Sequence, residues 1–177
     1  MTTTAAILDR VVALCEALKY TPLGGVEENL FEAVEKFDVT NADKAFGRVL
    51  SNQNRVCLVI WFGEEFANVM QGRDQITRRK TKVRVIVSEK KLGDRQVALF
   101  GTTTTPGVLK MKDLVIEAVT GALFAESTND VAMTPVTAFC AMIEETENRF
   151  PGRVIASIDF EGRGGTYLSQ LNAAFNE

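Results

Sequence analysis

The chain has 177 residues, a formal net charge of −3 and no histidine. Its length is typical of one domain, and 46% hydrophobic with 24% charged residues is typical of a soluble globular protein with a sizeable core. Without an imidazole the chain has no Ser-His or Cys-His nucleophile pair, no histidine metal ligand and no histidine proton shuttle.

Apolar runs and cysteines point to an ordinary cytoplasmic protein. The longest apolar runs, such as CLVIWF at 57–62, are far shorter than the ~18 residues that a membrane span needs. The first residues lack the basic region of a signal peptide. Cys15, Cys57 and Cys140 are widely spaced within apolar patterns, which indicates buried thiols rather than a disulfide framework or a zinc site. We expect no metal and no cofactor.

The first third of the chain predicts helices. Apolar residues at helical spacing predict a helix over 5–19, and TPLGG at 21–25 interrupts the pattern. A second apolar stripe with glutamates on the other side predicts a helix over 26–37. The segment 38–54 is typical of a loop, with a short helix around 43–50.

The middle of the chain predicts the start of a sheet. RVCLVIWFG at 55–63 is a continuous apolar run of strand length, which indicates a strand covered on both faces. We expect a long connection over 64–76 and a second, basic strand over about 77–89. KKLGDRQ at 90–96 predicts a turn, and VALFG at 97–101 predicts a short strand or part of a loop.

A helix start is predicted within TTTTPG. Thr105 is a suitable N-cap, and Pro106 suits the first helical position because its missing N–H would have no partner there. The apolar face that follows extends this predicted helix to about Phe124.

The last part of the chain predicts strands. The segment 134–145, apolar on both alternations, predicts a buried strand or a short helix. Residues 153–161 alternate cleanly, and GRGG at 162–165 is expected to end that strand before a short amphipathic tail. The residues predicted to point inward are Val154, Ala156, Ile158 and Phe160.

This order of elements predicts an α+β fold with a single mixed or antiparallel sheet packed against helices. We expect one domain over 1–177, with 21–54 and 163–177 as candidate extensions or interface elements.

Residues 78–91 hold seven of the chain's 20 Lys and Arg residues and only one acid. Strand alternation places Arg78, Lys80, Lys82 and Arg84 on one face, opposite a valine row. Such a row could contact DNA phosphates or an acidic neighbour. It could equally be an edge strand that Lys and Arg protect from aggregation.

A nuclease-like pattern overlaps this strand. Glu89 and Lys91 form Glu-x-Lys at the end of an apolar strand, with Asp74 upstream. Metal-dependent nucleases of the restriction type use two acids to hold Mg²⁺ and a lysine to steady the attacking water. A small Mg²⁺-dependent nuclease is therefore one alternative function.

Other candidate motifs favour structural explanations. Asp159 and Glu161 share one face of a strand and could hold a cation or perform acid–base chemistry, but the solvent face of an amphipathic strand is the favoured interpretation. The glycine-bearing segments 101–107 and 162–165 lack the spacing and the lysine of a phosphate loop, which indicates turns.

The order of elements over about 55–124 resembles a known family. The order begins with AAILDRVVALCEAL and continues with NRVCLVIWFGEEF, a long connection, the charged strand KTKVRVIVSEKK and a glycine-bearing turn. It ends with PGVLKMKDLVIEAVTGAL and a closing strand. This order is similar to that of tail terminator and related minor tail proteins of long-tailed bacteriophages and prophages. The resemblance implies a small α+β domain that forms hexameric rings, caps the tail tube and presents the surface to which the head connector docks.

The resemblance carries no catalytic residue and implies a non-enzymatic virion protein of the tail or neck, made in the host cytoplasm. Its implied partners are other copies of itself, the tail tube protein and the head–tail connector, with DNA passing through the ring without specific binding. Arg78, Lys80, Lys82 and Arg84 then become candidates for a subunit contact or a channel wall. Phe66, Val69 and Met70 become candidates for a docking loop. A cytoplasmic adaptor with no virion role is the other alternative.

Overall fold

A computed structural model describes residues 4–37, 47, 49, 53–71, 74–90, 94–122, 132–141 and 153–167, without the side chains of 68–71, 74–79, 95, 132, 139–141 and 163–167. The helices are α1 (Thr4–Glu16), α2 (Arg95–Phe100) and α3 (Val108–Val119). The strands are β1 (Lys19–Tyr20), β2 (Glu28–Asn29), β3 (Ala33–Phe37), β4 (Arg55–Gln71), β5 (Asp74–Lys90), β6 (Ala132–Ala141) and β7 (Arg153–Tyr167).

One five-stranded sheet organises the described part of the chain. Its strand order is β3-β4-β5-β7-β6, and β1 and β2 form a separate small hairpin. β3 runs parallel to β4, whereas the other neighbouring strands of the sheet are antiparallel. The predicted α+β class with a mixed sheet packed against helices is confirmed.

The main core lies between the helices and one face of the sheet. Helical spacing brings Ile7, Val11 and Cys15 of α1 onto the sheet, and all three are fully buried. The predicted inward rows are confirmed, because alternate residues of β5 and β7 pack against the helices. Each fully buried aliphatic or aromatic side chain contributes roughly 1.5–3 kcal/mol of transfer free energy. The strand residues of this core include Cys57, Val59, Val83, Val85, Val87, Val154, Ala156, Ile158 and Phe160.

A smaller core covers part of the opposite face of the sheet. Val56, Leu58 and Ile60 of β4 are buried there with Phe37 and Val49. The prediction that the apolar run beginning at residue 55 is covered on both faces is therefore confirmed for the stretch from Val56 to Ile60. The predicted loop over 38–54 falls largely outside the described residues, although Gly47 and Val49 are helical.

The predicted helix over 26–37 is wrong, because this segment is extended. It contains β2, then buried Leu30 and Phe31, then β3. In a strand alternate residues face opposite sides, and here Phe37 joins the smaller core while Lys36 forms an ion pair with Asp9 of α1. The spacing of the apolar residues fits both a helix and a strand, and pairing with β4 stabilises the strand.

Residues 97–100 of VALFG, predicted as a short strand or loop, are instead helical and form most of α2, and Gly101 is its C-cap. Asp94 caps the helix: its side chain accepts hydrogen bonds from the backbone N–H groups of Gln96 and Val97, at 2.9 and 3.2 Å. The aspartate before the apolar run was the available signal in the sequence.

The predicted start of the next helix is also wrong. α3 begins after Gly107, whereas Pro106 forms an isolated bridge with Gly101. The backbones of the two glycines are so close that a Cβ at Gly107 would lie 2.2 Å from the nitrogen of Gly101. A hydrogen bond from the Thr102 N–H to the Thr105 carbonyl closes this turn, and Thr105 lies two residues before the observed N-cap, Gly107. α3 ends at Val119, and Phe124 lies outside the described residues.

Two further predictions underestimated the sheet, and a third overestimated the burial of a strand. The expected connection over 64–76 consists largely of paired strand, because β4 and β5 stay in register as far as Gln71 and Asp74. The GRGG segment does not end β7, which remains paired with β5 as far as Tyr167. The segment 134–145 begins in strand β6, but β6 is an edge strand and its residues from Thr134 to Ala138 are exposed rather than buried. Pairing with long neighbours lengthened the strands beyond their apolar cores.

Candidate functional site

The distal halves of β4, β5 and β7 form a three-stranded extension that we call the distal arm. It comprises 63–71 of β4, 74–81 of β5 and 162–167 of β7. On β5 and β7, Thr81 and Gly162 are the buried residues nearest to the tip of the arm among those whose side chains are described. Glu65, Phe66 and Ala67 of β4 are exposed. β4 thus contributes to the core in its first half and presents exposed side chains where it enters the arm.

A β-bulge separates the covered part of β4 from the arm. Trp61 pairs with Val83 and Gly63 pairs with Lys82, which leaves Phe62 as an extra residue. Gly63 adopts φ 130°, a backbone conformation that glycine accepts without strain. The bulge reverses the alternation, so that Glu64 faces the helices and accepts a hydrogen bond from the Thr4 hydroxyl at 2.5 Å.

The basic strand is balanced by acids on both neighbouring strands. Arg84 forms a bidentate pair with Asp159, with Nε–Oδ1 and Nη2–Oδ2 distances of 2.6 and 2.9 Å. Lys80 lies 2.6 Å from Glu161, and Lys82 pairs with Glu65. We call this set the charge ladder; its members are Lys80, Lys82, Arg84, Glu65, Asp159 and Glu161.

The pKa shifts in the ladder follow these pairs. The hydrogen bonds from Arg84, and then its charge, lower the pKa of Asp159, although partial burial opposes this. Asp159 in turn raises the pKa of Arg84. The hydrogen bond between Lys82 and Glu65 raises the pKa of the lysine and lowers that of the glutamate. Phe62 covers the Arg84 guanidinium, with 4.2 Å between its carbon and the ring centroid.

The ladder accounts for the unusual clustering of basic residues in the sequence. Lys80, Lys82 and Arg84 do share one face, as predicted, and their side chains remain a quarter to a third exposed. Each of the three, however, pairs with an acid that lies far away in the sequence. This part of the face therefore carries balanced charges and not a net basic row. The side chain of Arg78 lies outside the description. Asp159 and Glu161, predicted to lie on a solvent face, are two of the three acids.

The three docking residues predicted from the sequence lie on the arm, but on a strand rather than in a loop. Phe66 of β4 is 63% exposed. Val69 and Met70 belong to the same strand, opposite Ile76 and Gln75 of β5. Trp61 and Phe62, at the base of the arm, are 38% and 52% exposed. These two were missed, because the apolar run containing them was interpreted as buried strand.

The nuclease alternative conflicts with the topology. Asp74 begins β5 and Glu89 lies one residue before its end. At ~3.3 Å per residue the two positions are about 50 Å apart along one strand, so they cannot hold one metal ion. Lys91 lies outside the described residues. Among the described side chains no group of three or more His, Cys, Asp or Glu is placed to bind a metal.

An open cleft of ≈ 620 Å³ lies at the opposite end of the sheet from the arm. Arg55, at the start of β4, donates a hydrogen bond to the Tyr20 hydroxyl at 2.5 Å and also lies over the Tyr20 ring. The hydroxyl donates to Glu28 at 2.7 Å, and burial together with this bond raises the pKa of Tyr20. This chain of contacts fastens the β1–β2 hairpin to the sheet. Its residues were not singled out in the sequence.

A buried arginine closes the same end of the sheet. Arg153, the first residue of β7, donates to the Ser88 hydroxyl at 3.2 Å and to the backbone carbonyls of Gln53 and Asn54. Burial lowers its pKa to about 10. These contacts connect β7 and β5 to the segment that leads into β4, which is a structural rather than a chemical role.

No helix in the described part of the chain is long and apolar enough to cross a membrane.

Comparisons with known proteins identify a structural likeness only. No protein-family model matches the chain, and no curated protein matches it. Among solved structures, the chain is similar to one from the virion of a native gene transfer agent (GTA) particle, with 15% sequence identity and a TM-score of 0.36. That alignment covers 62% of this chain and 69% of the other.

Proposed function

We propose that the chain is a non-enzymatic structural subunit of a phage or prophage tail or neck, and that it forms a ring which caps the tail tube and joins it to the head connector. The observation that carries this proposal is the distal arm with its exposed aromatic residues. The sequence resemblance to tail terminator proteins supports it independently. In this role the chain needs no cofactor, and it acts in the virion after synthesis in the host cytoplasm.

An uncovered arm of this kind is typical of an assembly protein. A narrow extension of two or three strands is only marginally stable by itself and gains stability when it packs against another surface. Trp61, Phe62 and Phe66 expose aromatic surface along β4, and because Trp61 lies beside α1 while Phe62 lies over Arg84, both faces of the sheet contribute to it. Aromatic residues are enriched where protein surfaces associate. Contact with other copies of the chain would remove this surface from water.

The charge ladder suits a surface that meets other molecules without holding DNA. Nucleic-acid affinity arises mainly when uncompensated Lys and Arg displace counterions from phosphates. In the ladder Lys80, Lys82 and Arg84 already have acidic partners in the same sheet. If this face lines the channel, DNA passes it without specific binding. If it contacts a neighbouring subunit, Arg78 at the same strand face extends the contact.

The partners that follow from the proposal are further copies of the chain, six in a ring as the family resemblance implies, together with the tail tube protein and the head–tail connector.

The first test is the absolute mass of the purified protein by light scattering at two salt concentrations, with negative-stain microscopy. We expect a discrete oligomer and rings. Because the ladder pairs lie within one chain, we expect little change in mass with salt. Phe66→Glu should shift the mass towards the monomer. Leu23→Glu is the matched control, since Leu23 is 77% exposed but lies far from the arm. A monomer at all concentrations, with and without the tail tube protein, would favour the adaptor alternative.

A further inference from the structure

The edge of β4 along the arm is a candidate site for strand pairing. β3 pairs with β4 only as far as Phe37 and Ile60, whereas β4 continues to Gln71. Beyond Ile60 the described pairing of β4 is with β5 alone. A strand edge of this length presents backbone N–H and C=O groups that another chain can pair with.

An apolar groove lies at the end of this edge that is nearest to β3. It has a volume of ≈ 440 Å³ and is lined by Thr4, Ala5 and Leu8 of α1, with Lys36 of β3 and Trp61 of β4. A strand that pairs with β4 beyond β3 would place the side chains at its β3 end against this groove. The backbone edge and the apolar surface therefore favour the same occupant, an extended segment.

The other edge of the sheet has the properties of such a segment. β6 pairs with β7 on one side, and its residues from Thr134 to Ala138 are exposed. Its ten residues, AMTPVTAFCA, include no charged side chain, and Val136 is 52% exposed. Exposed edge strands of soluble proteins are normally protected by charged residues. Pro135 and the bulge beside it interrupt this edge only locally.

We infer that β6 of one copy pairs with the arm edge of β4 in the next copy, so that the sheets of neighbouring subunits join. This inference rests on the proposed assembly into a ring and specifies its subunit contact. β4 and β6 are the two ends of one sheet apart from the short β3, so the contact is head-to-tail and can close into a ring.

The strand directions agree with this contact. β5 is antiparallel to β4, β7 to β5, and β6 to β7. β6 is therefore antiparallel to β4, and a neighbour in the same orientation presents β6 antiparallel to β4. The bulges in β4 at Phe62 and in β6 between Pro135 and Thr137 leave both strands free to twist at the contact.

The required offset is also physically ordinary. Within one subunit, successive pairings place Ala132 level with Glu65 and Ala141 level with Val56. To avoid β3, β6 of the neighbour must move about five residues further along β4, which is about 17 Å. The four strands of one repeat, β4, β5, β7 and β6, span about 19 Å at ~4.8 Å spacing, so this offset corresponds to a strand tilt of about 40°, within the range of roughly 35–45° that is typical of closed sheets. The offset brings Val136 beside Phe66.

Cysteine cross-linking tests this contact. In a Cys140→Ser background, Phe66→Cys and Val136→Cys are combined in one chain, and the oligomer is oxidised with diamide. Both positions are exposed, so neither change removes core packing. We expect a ladder of covalent species on a non-reducing gel, up to the full ring. A mixture of the two single variants should stop at covalent dimers. Leu23→Cys with Val136→Cys is the control and should remain uncross-linked.

The outcomes separate this inference from the proposed function. If the protein forms rings but Phe66→Cys does not cross-link with cysteines placed at Thr134, Val136 or Ala138, the strand contact is wrong and the ring function stands. If the parent protein is a monomer with and without the tail tube protein, the proposed ring fails and the contact fails with it.

Discussion

The two halves of β4 and β5 show how one pair of strands can serve two purposes. In the covered half, Val59 and Val85 are fully buried beneath helices, and side chains on both strands contribute to a core. In the distal arm, the same backbone pairing continues beyond the bulge at Phe62, but Phe66 is exposed and the neighbouring charges neutralise one another. Stability is concentrated in the first half, and surface for other molecules in the second.

The largest expected effect distinguishes the buried core from the distal arm by the substitution of one phenylalanine in each. Phe160→Ala removes a side chain that is 1% exposed and should lower the free energy of unfolding by about 3–5 kcal/mol. Phe66→Ala should change it by less than about 0.5 kcal/mol, yet weaken assembly. Urea unfolding of dilute protein, followed by light scattering at high concentration, measures both. Equal destabilisation by the two changes would show that the arm is part of the core.

A smaller effect is expected at the end of the covered half. Arg153→Ala removes the donor shared by Ser88 and the carbonyls of Gln53 and Asn54, and should cost about 2–3 kcal/mol. Arg153→Lys keeps the charge but not the branched geometry and should recover only part of this loss. The denaturation midpoints of the two variants provide the comparison. No loss in the alanine variant would mean that the buried arginine does not connect these strands.

The smallest effect lies in the charge ladder and depends on pH. Asp159→Asn should lower the free energy of unfolding by about 0.5–1 kcal/mol at pH 7, because the bidentate pair with Arg84 is partly exposed. The folded-state pKa of Asp159 is lowered, so the pair stabilises fully above the ordinary aspartate pKa and is lost as the pH falls through the folded value. The variant and the parent should therefore converge in acid. Thermal unfolding measured from pH 7 down to pH 3 or below tests this, and a pH-independent difference would contradict it.

Much of the fold was predictable from local pattern. The helical stripe of Ile7, Val11 and Cys15 and the valine row of β5 were recognisable because burial of one face imposes a fixed period on the sequence. The apolar strand beginning at residue 55 was recognisable for the same reason. Segments whose apolar residues fit two periods were not, and residues 26–37 became extended through pairing with β4.

By itself the sequence determined the α+β class, the main core rows and the alternation that places Lys80, Lys82 and Arg84 on one face, since each follows from local periodicity. Only the tertiary structure determined which acidic side chains pair with those basic residues. Asp159 lies far along the chain and reaches Arg84 through the pairing of β5 with β7, while Glu65 is brought to Lys82 across the bulge. The length of the arm was decided in the same way, because backbone pairing between strands does not depend on an apolar pattern in either of them.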